Sequence, residues 1–285
     1  MKKILIIGGS RFIGPLLIDE FVGRGDEVAV FNRGRIRSEY DEGVRFIRGD
    51  RDEGFPALGH FDVIVDTCAY RGEQTKRTIE ELRFDFFIHI GTAASYKQTE
   101  IFPIREDFPL GDWLVWGSYG EGKLECEKVL ASGKVKFAVI RPVYILGPNN
   151  YCDRERFIYS RIKRGDPIIL PGNGEAVIQF VFAEDVAKSI ALIADNKIAG
   201  AFNCAGDEAI TLKGFVEEMG RIMHLEPKLR YNPETDSDRF DINEFPFANA
   251  NLLCDNAKLK KLGATFAPLL DSLQEDYESY YRHVI

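Results

Sequence analysis

The chain has 285 residues, 45% of them hydrophobic and 29% charged, with a formal net charge of −8. That balance suits a globular protein with a full core, arranged as one large α/β unit with a smaller appended lobe. It argues against nucleic acid as a partner, because phosphate backbones are held by surplus Lys and Arg. No stretch nears the ~20 consecutive apolar residues of a membrane-spanning helix. Cys68, Cys126, Cys152, Cys204 and Cys254 are scattered, odd in number and form no C-x-x-C, so reduced thiols and a cytoplasmic location are expected. The four histidines are equally dispersed and leave no metal-ligand cluster.

The first twenty residues organise the rest. Ile4-Leu5-Ile6-Ile7 is a continuous apolar run of the kind a fully buried parallel strand needs, too short for a secretory leader. It stops at Gly8-Gly9-Ser10-Arg11-Phe12-Ile13-Gly14, and an amphipathic helix follows with Leu16, Leu17, Phe21 and Val22 apolar and Pro15 just inside its start. Strand, glycine turn and helix in this order open a dinucleotide site. Gly8 allows the tight turn, Gly14 allows close helix–strand packing, and the helix start offers N–H groups to a pyrophosphate.

Glu27 to Phe31 reads as a second strand, followed by Asn32-Arg33-Gly34-Arg35 with no acid at its end. An acid there would hold the ribose 2′-hydroxyl of NAD, whereas Arg accommodates a 2′-phosphate, so NADP is expected, with Arg33 as its ligand and Arg11 and Arg35 assisting. Val44–Ile47, Phe61–Thr67 and Phe84–Ile90 are further strands, and 74–82 is a helix. Strands and helices alternating at this spacing predict a doubly wound parallel α/β sheet, with its chemistry at the carboxyl ends of the strands. The fifth strand ends in His89-Ile90-Gly91-Thr92-Ala93-Ala94-Ser95-Tyr96. Farther on, Tyr119 and Lys123 are four residues apart and share one helix face.

The glycine turn, Thr92 at a strand end, Tyr119-Gly120-Glu121-Gly122-Lys123, Ile140-Arg141-Pro142, Gln179–Ala187 and Gly200–Thr211 together resemble the ordered motifs of the NAD(P)-dependent epimerase/dehydratase family, extended relatives of the short-chain dehydrogenases/reductases. The resemblance implies a Rossmann sheet carrying a small, mostly C-terminal substrate lobe. It also implies hydride transfer at a secondary alcohol or ketone, by an epimerase or reductase acting on a small molecule such as a sugar or sugar nucleotide. By that resemblance Tyr119 is the acid/base, Lys123 favours its phenolate and holds the nicotinamide ribose, and Thr92 orients the reacting oxygen. Cofactor contacts fall to Gly8, Ser10, Arg11, Phe12, Ile13, Gly14, Asn32, Arg33, Asp50, Ala69, Tyr119, Lys123 and Pro142, with Asp50 beside the adenine; no metal is implied.

Departures from the family pattern narrow the chemistry. Arg11 stands where relatives have the turn's middle glycine, so it either projects away or contacts phosphate. Ala93-Ala94 replace the Asp-Glu that performs dehydration, and Tyr144 and Ile178 stand where relatives place an Asn and an Arg on a substrate diphosphate. The Arg-bearing turn also resembles the chloroplast stem-loop-binding branch, which sets RNA binding as an alternative; a third reading is an NADP-sensing regulator without turnover.

Beyond Asn149, residues 153–164 read as a basic amphipathic helix and 167–174 as a turn-rich connection. Phe180 to Asn203 is expected to return to the sheet, and 212–224, 256–262 and 269–281 are helices. Of the arginines on the 153–164 helix, one or two would serve an anionic substrate if the face is not simply solvated. The expected division is 1–150 with 176–206 for the dinucleotide, and 151–175 with 207–285 for the substrate. In many relatives the helices matching 74–82 and 119–130 pair across a dimer, so a homodimer is expected by resemblance.

Overall fold

The computed structural model describes residues 1–36, 43–111, 113–235, 238 and 240–285. In chain order its elements are β1 (Lys3–Ile7), α1 (Ile13–Gly23), β2 (Glu27–Asn32), β3 (Arg45–Arg48), β4 (His60–Asp66), α2 (Gly72–Glu81), β5 (Arg83–Ile90), α3 (Gly117–Ser132), β6 (Phe137–Pro142) and β7 (Tyr144–Leu146). There follow α4 (Arg154–Arg164), β8 (Pro167–Pro171), β9 (Val177–Phe182), α5 (Ala183–Asn196), β10 (Gly200–Cys204), β11 (Ala209–Thr211), α6 (Leu212–Met223), β12 (Lys228–Asn232), α7 (Ala257–Lys261) and α8 (Leu269–Asp276), the last continued by a π-turn at Tyr277–Tyr281.

The apolar run of β1 is needed because both of its faces are covered. Ile4 and Ile6 join one core with Leu17 and Phe21 of α1 and Val186 and Ile190 of α5. Leu5 and Ile7 join another, with Phe87 of β5 and Leu130 of α3. Side chains alternate across a strand, so a strand between two helical layers must be apolar at every position. Seven strands form the sheet, in the order β10-β6-β5-β4-β1-β2-β3, and every pairing in it is parallel. The chain winds outward from β1 through β2 and β3, then crosses to β4 and winds the other way. The crevice beyond β1 and β4 is therefore the switch point at which such sheets take ligands.

Two expectations about the later chain are corrected. Residues 167–171 are not part of a turn-rich connection but a strand, β8, paired in parallel with β12 in a two-stranded sheet. Its prolines stand at its two ends, where a missing N–H is tolerated, and Ile168 and Leu170 are buried while Ile169 faces out. Nor does the whole of 180–203 return to the large sheet. β9 joins β7 and β11 in a separate three-stranded sheet, and only β10 docks beside β6.

Candidate active site

The glycine turn bends because Gly8 and Gly9 take φ of 101° and 78°. α1 reaches the turn because Gly14 has no side chain: a Cβ there would lie 2.4 Å from the backbone of Gly9. The turn is braced from β2 by Asn32, whose amide donates to the Gly8 carbonyl at 3.0 Å and accepts from the Gly34 N–H. Among the described residues the N–H groups of Ser10, Arg11 and Phe12 find no acceptor, so they stand at the start of α1 as donors for an anion. Phe12 holds the unusual φ of 52° at that helix start, with its ring buried and edge-on to Tyr151 at 6.1 Å. Arg11, Arg33 and Arg35 are exposed, Ala69 is buried just past the end of β4, next to β1, and Pro142 is buried at the end of β6, three strands away from β1. Asp50 is half-buried; one of its carboxylate oxygens is taken by the Asp52 N–H at 3.0 Å, which leaves the other for a ligand.

The three residues expected to be catalytic come together. Thr92 is buried just past β5, where its hydroxyl accepts from the Ala94 N–H at 3.1 Å and also interacts with the Tyr119 phenol. Lys123 is buried one turn along α3 from Tyr119. Its ammonium donates to the Ile90 carbonyl at 2.8 Å and lies 4.6 Å from the centre of the Tyr70 ring. α3 passes this closely because Gly122 is bare: a Cβ there would meet the Tyr70 carbonyl oxygen at 2.1 Å.

The Tyr119 side chain keeps 47% of its surface open, but it stands in a crevice whose walls displace most of the water around the phenol. That burial pushes its pKa up to about 12, with the Thr92 hydrogen bond pulling the other way. The cation acting most strongly on it is Arg154 at the start of α4, whereas Lys123 was the residue expected to favour the phenolate. Lys123 has turned toward Ile90 and Tyr70, and burial lowers its own pKa.

Beneath these residues lies a dry polar layer. Arg51 forms a two-pronged ion pair with Asp66 at 2.6 and 2.7 Å and caps the Gln74 carbonyl and Thr78 hydroxyl of α2. Burial works against the Asp66 charge, but the guanidinium holds its carboxyl below the usual range. His89, paired in register with Asp66, is fully buried with neither ring nitrogen hydrogen-bonded, and burial lowers its pKa to about 3, so it is neutral. On the other side of α3, Glu127 and Arg141 form a buried pair at 2.6 Å, and Arg141 goes on to Tyr96, which donates to Asn203 of β10 at 2.6 Å.

Tyr70 and Tyr151 border the cluster of Thr92, Tyr119 and Lys123 without having been expected there, and Arg154 was expected only as one of several arginines on its helix that could meet an anion. Tyr70 lies 6.2 Å from Tyr119, ring centre to ring centre, and its hydroxyl meets that of Tyr151. The only hints in sequence were that Tyr70 follows Ala69 at the cofactor-facing edge and that Tyr151 and Arg154 lead into the basic helix. Among the described residues no group of three or more His, Cys, Asp or Glu could hold a metal ion, and no helix is long and apolar enough to cross a membrane.

A seven-stranded parallel sheet, with a Thr–Tyr–Lys cluster at the carboxyl edge of β5 and a glycine turn across the switch point, defines a Rossmann-like α/β fold. Residues 75–205 match the model of the NAD dependent epimerase/dehydratase family. The chain is 29% identical to the chloroplast stem-loop binding protein of 41 kDa b of Arabidopsis thaliana, over 98% of this chain and 78% of that protein. It is 23% identical to UDP-glucuronic acid decarboxylase 1 of the same plant, over 83% of this chain and 62% of that one. Its fold is similar to that of the Bacillus cereus UDP-glucuronic acid 4-epimerase solved with NAD, at a TM-score of 0.80 and 18% identity, covering 99% of this chain and 97% of that one.

Proposed function

We propose that this chain is an NAD(P)-dependent epimerase or reductase transferring hydride at a secondary alcohol or ketone carbon of a small molecule. One observation carries the reading: Thr92, Tyr119 and Lys123 converge at the end of β5, across from an anion-receptive turn. The dinucleotide supplies the hydride chemistry at its nicotinamide ring. The donors at Ser10, Arg11 and Phe12 hold its diphosphate, and Lys123 holds the ribose next to the ring. Thr92 orients the reacting oxygen while Tyr119 exchanges a proton with it. With a pKa near 12 the phenol is protonated at neutral pH and serves first as a donor to a carbonyl. Removing a proton from an alcohol requires positive charge from Lys123 to lower that pKa.

In this reading the cofactor is NADP, with the 2′-phosphate on Arg33, which is exposed, has no acid at the end of β2 beside it and has no hydrogen-bond or ion-pair partner among the described residues. Residues 1–150 and 176–206 hold the cofactor, 151–175 and 207–285 the substrate, and two chains pair through α2 and α3. The five free thiols suit a reducing, cytoplasmic setting. Fluorescence titration of wild type and Arg33→Ala with NADPH and NADH tests the reading. Tighter NADPH binding that the mutation abolishes is the expected result; NADH binding indifferent to Arg33 defeats the NADP assignment, and binding of neither defeats the enzyme reading.

The similarity to a stem-loop binding protein over nearly the whole chain favours one second reading, RNA binding through the arginines of α4. Retention of a stem-loop RNA at about 0.15 M salt, falling steeply as salt rises, is its signature.

A further inference from the structure

The segment leading into α4 borders the catalytic phenol: Tyr151, Cys152 and Arg154 all act electrostatically on Tyr119. Arg154 sits in an aromatic niche. Its guanidinium carbon is 4.9 Å from the centre of the Tyr144 ring and 5.4 Å from that of Phe247, two rings that meet edge-on at 4.9 Å. One of its five N–H donors goes to the Pro246 carbonyl. Among the described residues no carboxylate lies within ion-pair distance of it. The neighbouring Glu155 is turned away, accepting from the Gly147 N–H at 2.6 Å and the Asn150 amide at 3.0 Å.

The other groups here offer little to a polar ligand. The Tyr144 hydroxyl accepts from the Ala248 N–H at 3.1 Å and retains only its O–H to offer, and Ile178 and Phe247 are buried. A half-buried guanidinium between ring faces has lost much of its hydration, and a counter-charge arriving with a ligand would restore what was lost. The remaining arginines of α4 open on a different cleft, of about 800 Å³, beyond Tyr151. There Arg164 is neutralised by Asp166 at 2.7 Å, and Arg161 lies over the Phe157 ring.

We propose that Arg154 is the specificity-determining residue of the site: it receives a single anionic group, carboxylate or phosphate monoester, on an otherwise compact, weakly polar substrate whose alcohol carbon is presented to Tyr119. This rests on the hydride-transfer reading above and adds the substrate class. A nucleoside diphosphate brings two charges and a polar base, and this niche offers it one cation among rings.

The chain's two tryptophans supply a reporter, since Trp116 lies 5.9 Å from Tyr144 and 5.7 Å from Trp113. Quenching of their fluorescence, with NADP⁺ present, is titrated with cyclohexanol, 4-hydroxycyclohexanecarboxylate, 4-hydroxycyclohexyl phosphate and UDP-glucose, against wild type, Arg154→Met and Arg154→Lys. One of the two anions is expected to bind at least tenfold tighter than cyclohexanol, and which one does so decides between carboxylate and phosphate. Arg154→Met should erase that ratio and Arg154→Lys should restore part of it, which loss of folding would not. An anion preference that survives in Arg154→Met, or no preference at all, overturns the role of Arg154 and leaves hydride transfer standing. UDP-glucose binding more tightly than the other three, independently of Arg154, overturns the substrate class. Failure of NADP⁺, NAD⁺ and all four probes to bind overturns both readings.

Discussion

The ammonium of Lys123 donates to the backbone carbonyl of Ile90 at 2.8 Å and so ties the helix bearing Tyr119 to the end of the strand bearing Thr92. One side chain thus links the elements that carry Thr92 and Tyr119, 27 positions apart in sequence. Replacing Lys123 with Met is expected to remove a charge and also loosen this tie. Affinity for dinucleotide and rate should fall together, with a drop in melting temperature, as read by titration and thermal unfolding.

Tyr119→Phe separates chemistry from binding. The phenol oxygen is the only atom lost, and the side chain is half open, so stability and dinucleotide affinity should stay within about threefold of wild type while turnover falls by about 10²–10⁴, the usual range for a positioned acid/base. An unchanged rate would remove Tyr119 from the mechanism.

Gly14 and Gly23 lie at the two ends of α1 and predict opposite outcomes. A Cβ at Gly14 meets the Gly9 backbone at 2.4 Å, and backbone cannot step aside as a flexible side chain can. Gly14→Ala should cost about 1–3 kcal/mol in urea unfolding and abolish dinucleotide binding. At Gly23 nothing lies within 4 Å, and alanine there should be neutral or stabilising by up to ~1 kcal/mol.

Asp276 predicts a pH dependence. Burial, with Glu155, Glu184 and Glu275 nearby, raises its pKa to about 7, and burial raises that of Glu155 to about 6. An acid whose folded pKa exceeds its unfolded one binds its proton more tightly in the folded state. Its ionisation therefore costs stability: the cost is full above pH 7, declines as pH falls and vanishes below about pH 4. Asp276→Asn should stabilise by up to about 4 kcal/mol at pH 8 and by less than half of that at pH 5, measured by chemical unfolding at each pH.

The Glu127–Arg141 pair is buried on both sides. Arg141→Met leaves a bare carboxylate under α3 and breaks the link through Tyr96 to Asn203, so a loss of about 3–5 kcal/mol is expected in urea unfolding. The double variant with Glu127→Leu should recover much of it, because no unpaired charge then remains.

Legibility in sequence followed the range of the interactions. β1 and β5 could be read because a strand covered on both faces must be apolar at consecutive positions, and the glycine turn because its backbone geometry and close packing restrict residue type locally. Thr92, Tyr119 and Lys123 were found through motifs, but not the turn of Lys123 toward Ile90, which depends on Gly122 admitting the Tyr70 backbone. Lys228–Asn232 alternates without a clear apolar face, and nothing local reveals that it pairs with Pro167–Pro171 some sixty residues earlier. Arg154 looked like one more charge on a solvated helix; only the rings of Tyr144 and Phe247, brought in from β7 and from the chain near residue 247, show that it is half enclosed.

β10 lies beside β6 in the large sheet, although β7, α4, β8, β9 and α5 intervene in sequence. During synthesis the open edge of β6 therefore has no partner until residue 204 has left the ribosome, by which time most of the site-bordering loop and α4 have already emerged. An N-terminal piece ending before β10 cannot complete the seven-stranded sheet, and a nascent chain halted between β6 and β10 presents an unpaired strand edge. Maturation of this protein is thus bound to a late, long-range closure, and that interval is when a chaperone would have its greatest effect.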